Sequence, residues 1–151
     1  MKICFVASSG GHWEELMCLK RVCDQLESFF VTEQGGQSND SDLEKLYLFK
    51  QINRKEKLFV FHFLWVVIRA FVILLKEKPD VIISTGALLA YPFCVIAKLF
   101  KKKVVYIESF ARVTNGSITG KLVYRFADLF IVQWESMKRV YPKAVCAGSI
   151  F

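Results

Sequence analysis

Short runs of β-branched and apolar residues alternate with longer stretches of helical periodicity along the whole chain, and this alternation leaves few folds open. It is the pattern of a parallel sheet wrapped by helices, because each parallel strand needs a crossover before the next can pair with it. Strands are expected at 2–7, 28–32, 45–50, 81–84, 104–107, 129–132 and 144–146, and helices near 13–26, 57–76, 88–100, 118–127 and 135–140. The polar stretch 33–42 reads as a loop-like insertion. Right-handed crossovers then give a doubly wound, Rossmann-like α/β fold with the first strand central. Ligands are expected beyond the carboxyl ends of the strands.

No internal repeat or linker divides the 151 residues, so a single domain spanning 1–151 is expected. A chain of this length buries a core without disulfides or a structural metal, and its 54% hydrophobic content excludes disorder. The five cysteines, Cys4, Cys18, Cys23, Cys94 and Cys146, show no C-x-x-C spacing and read as reduced thiols of a cytosolic protein. The apolar start runs into Ser8-Ser9-Gly10-Gly11 too soon to form the core of a signal peptide.

The formal net charge of +7 is concentrated in residues 50–103, which hold eleven basic and three acidic side chains. Within them lies the apolar run 58–75, interrupted by His62 and Arg69 alone and flanked by Arg54, Lys55, Lys57, Lys76 and Lys78. As a helix, eighteen residues reach roughly 27 Å, enough to cross a bilayer core. A span there would put Gly10 and Glu108 on opposite sides of the membrane and prevent the sheet from forming. Lys55, His62, Arg69 and Lys76 recur every seven residues as one narrow polar stripe. A helix lying in the interface, or pressed on the sheet with its free side in lipid, fits that stripe, with Lys55, Leu58, Phe61, Trp65, Phe71 and Lys76 as membrane contacts. A crossover helix covered by a partner subunit is the alternative reading. Nucleic acid is not expected, because the aromatics lie inside the apolar run rather than among exposed basic residues.

Special residues collect where the strands should end. Ser8-Ser9-Gly10-Gly11-His12 leads from a strand into a helix and suits an anion such as a phosphate or sugar diphosphate. A tight turn capped by Ser9 accounts for it equally well. Thr85 and Gly86 follow the fourth strand, Glu108, Ser109 and Arg112 the fifth, and Gln133 the sixth. His12 suits a general base or a structural polar contact. Glu108, an acid directly after four apolar strand positions, suits a base or a group holding His12 or a ligand hydroxyl. Arg112 suits a phosphate, while Thr114 or Ser117 suits a phosphate or a helix cap. Asp40-Ser41-Asp42 spells a metal-binding D-x-D, although an acidic helix start explains it without metal. Glu33, about 20 residues past the glycines, stands where a dinucleotide enzyme keeps its ribose-binding acid.

Together, Ser8–His12, the segment 79–86 (PDVIISTG), the segment 106–113 (YIESFARV) and the segment 128–134 (DLFIVQW) resemble the acceptor-side subunit of two-part N-acetylglucosaminyltransferases. That family includes a eukaryotic membrane subunit acting on dolichol-linked sugars and bacterial proteins of capsule and exopolysaccharide clusters. The resemblance implies the N-terminal Rossmann-like half of a GT-B glycosyltransferase, completed by a separate catalytic chain that binds most of the UDP-sugar. It implies inverting, metal-independent and cofactor-free transfer to a polyprenyl-diphosphate-linked acceptor, with His12 and Glu108 in the acceptor cleft. Ser8, Ser9, Gly10, Gly11, Thr85, Gly86, Ser109, Arg112 and Gln133 would surround the acceptor. The expected location is the cytoplasmic face of a membrane, peripheral or monotopic, in a bacterial source. A stand-alone dinucleotide-binding module using Glu33 and a non-catalytic membrane scaffold are the alternatives.

Overall fold

The first apolar run forms β1 (Lys2–Ala7), whose residues from Cys4 to Ala7 are wholly buried. In the computed structural model, which describes residues 1–23 (22 and 23 by backbone alone), 26–35, 43, 45–53 and 56–151, β1 is the pivot of the sheet. It pairs in parallel with β2 (Glu27–Glu33) on one side and β4 (Val81–Gly86) on the other. Beyond them lie β3 (Leu46–Phe49), β5 (Lys103–Ile107), β6 (Leu129–Val132) and β7 (Val145–Cys146), in the order β3-β2-β1-β4-β5-β6-β7. The strand order reverses between β1 and β4, which makes that crevice the topological switch point of a doubly wound α/β fold.

Strand alternation builds two cores. Cys4, Val6, Phe29, Val31, Ile82, Val104 and Tyr106 pack toward α2 (Phe59–Glu77), α3 (Ala90–Leu99) and α4 (Ile118–Val123). Ile3, Phe5, Ala7 and Phe30 pack toward α1 (Gly11–Cys18). The expected first helix, 13–26, is shorter: α1 stops at Cys18, where the Leu19 amide bonds the Leu16 carbonyl at 3.0 Å, and a 3-10 turn occupies Lys20–Cys23. An i to i+3 bond tightens the last turn and turns the chain toward β2. The expected helix at 135–140 is likewise a 3-10 helix, Glu135–Arg139. Asp40, Ser41, Asp42 and Lys55 lie outside the described residues. Among the described residues Cys4, Cys18, Cys94 and Cys146 are free thiols.

Helix α2 has three faces rather than two. Val66, Ala70, Ile73 and Leu74 are buried against the body, and Arg69 is drawn to it as well. The Arg69 guanidinium donates to the Leu48 carbonyl at 2.8 Å and lies over the rings of Phe49 and Trp65 at 4.5 and 5.0 Å. The seven-residue polar stripe is therefore a flank beside the buried face. The outward arc is apolar: Phe61, Leu64, Trp65, Ile68, Phe71, Val72 and Leu75 are all exposed.

The carboxyl end of α2 is held by charge. Glu77, an acid at the unfavourable end of the helix dipole, is buried and meets the Lys2 and Lys45 ammonium groups at 2.8 and 2.7 Å and the Tyr47 hydroxyl. Burial pushes its carboxyl up, but the bonds from Lys2, Lys45 and Tyr47 outweigh this and hold it down at about 2. Asp128, bonded by Lys98, the Val104 amide and Lys103, is similarly lowered to about 2 against the effect of its own burial. An acid depressed in the folded state stabilises the fold above its unfolded value, and that stability is lost as pH falls through the folded value. Resistance to denaturant should therefore fall progressively between about pH 4.5 and pH 2. In Glu77→Gln the midpoint should be lower at pH 7 and the loss on acidification shallower; an unchanged acid slope would count against the clasp.

Candidate functional site

A cavity of about 340 Å³ opens at the switch point. Ser8, His12, Glu33, Arg112, Ser117 and Thr119 supply its polar lining, with Gln51, Ile52 and Leu88 along one wall. The loop after β1 reaches it through Gly10, whose φ of +83° admits glycine readily and caps α1 with no side-chain bond. Ser9 is not the cap. Gly10 and Gly11 face open space and Ser9 is half-buried, so backbone is presented beside the cavity.

His12 is fixed from β4. Its Nδ1 lies 2.9 Å from the Thr85 carbonyl, and the Thr85 hydroxyl donates back to the His12 carbonyl at 2.6 Å. A carbonyl only accepts, so the proton sits on Nδ1 and Nε2 carries the lone pair. Gly86 makes room for this arrangement. At φ +122°, a Cβ there would lie 2.9 Å from the Tyr106 hydroxyl and 3.2 Å from the His12 ring.

Two buried acids flank the imidazole. Glu33 accepts from the Ser8 hydroxyl and from the Ser9 and Ile52 amides, so it pins the glycine loop to the segment after β3. Glu15 accepts from the Ser109 hydroxyl at 2.8 Å, the Phe110 amide at 3.1 Å and the Gln133 amide at 3.4 Å. Burial pushes both carboxyls up, partly offset by these bonds and by the nearby His12. Glu15 went unnoticed among the sequence candidates. Its signal was the three-residue spacing from His12, which puts both on the end of α1 that meets the sheet edge.

Glu108 stands at the mouth of β5 as expected, but its carboxylate turns inward and is 1% exposed. It accepts from the Tyr141 hydroxyl at 2.6 Å, the Ser117 amide and hydroxyl at 3.0 and 3.1 Å, and the Ser109 amide at 3.2 Å. Ser117 in turn caps α4 by accepting from the Gly120 amide at 2.8 Å. Gln133 and Ser109 also brace this cluster from outside the cavity. Gln133 donates to the Glu108 carbonyl at 3.1 Å and accepts from the Ile150 amide at 2.9 Å. Thus the structure brings Ser8, His12 and Arg112 to the cavity, with Thr85 and Gly86 directly behind His12. Glu108, Ser109 and Gln133 form a scaffold beneath the next loop. Tyr141, 33 residues away in sequence, is the partner that sequence reading missed.

The family model described as "Oligosaccharide biosynthesis protein Alg14 like" matches residues 3–150. The chain belongs to the Alg14-like family. Among its Alg14 relatives, the UDP-N-acetylglucosamine transferase subunit ALG14 of Rattus norvegicus is 31% identical over 174 residues, covering 96% of this chain and 81% of the relative. The protein of the same name from Homo sapiens is 27% identical, covering 99% and 83%. Of solved structures, Acinetobacter baumannii MurG superposes with a TM-score of 0.78 at 19% identity, over 98% of this chain and 46% of MurG. The UDP-GlcNAc 2-epimerase of Methanocaldococcus jannaschii gives 0.73 at 17%, over 95% and 42%. This chain spans less than half the length of either solved protein, and the Alg14-like fold is that of the N-terminal domain of a GT-B protein.

In this Alg14-like chain the burial and the four bonds of Glu108 suit a framework acid, and two substitutions test that role. Glu108→Gln should destabilise by about 1–3 kcal/mol, because an amide nitrogen replaces one buried acceptor. Gly120→Ala should do so by a similar ~1–3 kcal/mol, since its Cβ would come within 2.2 Å of the Glu108 carboxylate. Urea denaturation checks both; wild-type stability in Glu108→Gln would remove the framework role.

Proposed function

We propose that this chain is the acceptor-side subunit of a two-part, inverting UDP-N-acetylglucosaminyltransferase acting on a polyprenyl-diphosphate-linked acceptor at a membrane surface. The observation that carries the reading is His12, lining the switch-point cavity with its tautomer set by Thr85. In this mechanism Nε2 removes the proton of the acceptor hydroxyl as that oxygen attacks the sugar's anomeric carbon. The bond to UDP breaks, and the diphosphate leaves on the partner chain. Glu15 and Glu33 stabilise the imidazolium that forms. Arg112, the Ser9 hydroxyl and the backbone of Gly10 and Gly11 receive the acceptor's phosphates, and Ser8, which donates to Glu33, holds the loop in place. Glu108, Ser109 and Gln133 act as positioning residues for the loop that carries Arg112. The family's description, oligosaccharide biosynthesis, is a broader class than the capsule or exopolysaccharide role expected from sequence.

Two surfaces support a partner and a membrane. On the α1 side of the sheet, α1 covers β4, and the stretch formed by β5 to β7 has no helix packed on it among the described residues. Leu129 and Val145 are exposed there, and Val105 and Ile131 are half-buried in register beside them. An apolar sheet face of this kind suits the catalytic chain. The outward apolar arc of α2, with exposed Lys57, Lys76 and Lys78 at its ends, suits an anionic bilayer surface, and contacts from Leu58, Phe61, Trp65 and Phe71 follow.

Transfer from UDP-N-acetylglucosamine to a lipid-linked acceptor should need both chains. His12→Asn should lower the pair's kcat by about 10²–10⁴ while the chains stay associated. Full activity from this chain alone, or a wild-type rate in His12→Asn, would overturn the mechanism. The combined variant Leu64→Gln, Ile68→Gln, Val72→Gln should lose flotation with anionic vesicles and keep its fold by circular dichroism. Undiminished flotation would shift that face to a protein partner.

A further inference from the structure

A second cavity, of about 420 Å³, lies beside the first and shares Gln51 and Ile52 with it. The two differ in chemistry. The switch-point cavity is polar, whereas the second is walled by Ile52, Phe61, Trp65 and Val66, with Lys50 and His62 at its edge. Val66 forms a buried floor at 1% exposure, and Phe61 and Trp65 are more than half or half exposed, so the groove continues onto the bare outward arc of α2. Its size falls within the roughly 300–1,000 Å³ of small-molecule sites.

The path from His12 past Ile52 to Trp65 thus changes from anion-friendly to apolar without leaving the molecule's surface. A membrane-facing helix alone does not need a groove at the sheet-edge end of its length, and a soluble nucleotide has no apolar tail to fill one. We infer that this groove holds the first isoprenoid units of the acceptor's hydrocarbon chain, where the chain leaves the diphosphate and before it enters the lipid. Lys50 lines the groove next in sequence to the shared Gln51, so a cationic group is available to the anionic end of the amphiphile. Ile52 is the corner residue, touching the head-group cavity on one side and the tail groove on the other. This deepens the acceptor reading above and rests on it.

Soluble short-chain probes test the groove on the whole chain, with Trp65 as a tryptophan reporter inside it. Titration with inorganic diphosphate, dimethylallyl, geranyl and farnesyl diphosphate should give Kd values that fall on the order of tenfold per isoprene unit while the groove fills. Phe61→Asn, in the groove and outside the switch-point cavity, should weaken farnesyl diphosphate at least tenfold and leave inorganic diphosphate unchanged. Leu99→Gln, at an exposed apolar position on α3 outside both cavities, should bind all four probes as the wild type does. Diphosphate binding that ignores tail length would overturn the groove and leave the cleft reading standing. Farnesol binding as tightly as farnesyl diphosphate, with no binding of inorganic diphosphate, would overturn both. Equal loss in Leu99→Gln would identify surface adsorption and also overturn the groove.

Discussion

Parallel pairing on both edges of β1 is the constraint from which the rest of the molecule follows. A strand buried on both faces and both edges has no freedom left except at its carboxyl end, where the chain must turn upward into α1. Because β2 and β4 lie to either side, the loops from their ends diverge and leave a crevice over β1. His12 stands at that crevice because α1 starts there, and Thr85 can hold it because β4 is the next strand over. The cleft is a product of strand order, and its side chains are a refinement of it.

Beneath that crevice the protein has placed three acids out of water, and each solves a different connection. Glu33 ties β2 to the glycine loop and to the segment after β3. Glu15 ties α1 to the loop after β5. Glu108 ties β5 to the start of α4 and to Tyr141. Burial and the bond to Glu108 both push the Tyr141 phenol well above its ordinary value, so it remains a donor to that carboxylate. Buried carboxylates accept several bonds at fixed angles, which makes them suited to locking loops that lack regular structure of their own.

Much of this was legible in the chain. Strand positions and the central place of β1 followed from alternation, and the clustering of special residues at strand ends marked the correct edge. Glu108 was recognisable as exceptional, since no solvated role fits an acid after four apolar strand positions. Its inward turn was not recognisable, because that depends on Tyr141 and on a missing Cβ at Gly120, contacts set by the fold rather than by neighbours in sequence. The polar stripe of α2 was visible as a seven-residue period. A period gives the angular width of a stripe but not which way the helix is turned, so Arg69 folding back onto Phe49 emerged only with the sheet in place.

The orientation of α2 has a consequence for how encounters occur. The helix runs antiparallel to the strands, so its amino end, with Phe61 and Trp65, lies at the same edge of the sheet as the crevice. On the proposed seating of its bare arc on lipid, the crevice would be held at a fixed height over the head groups. An amphiphile diffusing in the bilayer would then meet the site from the side, within a plane. The three-dimensional search that a soluble enzyme faces would be reduced to two dimensions, and head groups that project too little or too far would be discriminated by elevation before any side chain reads their chemistry.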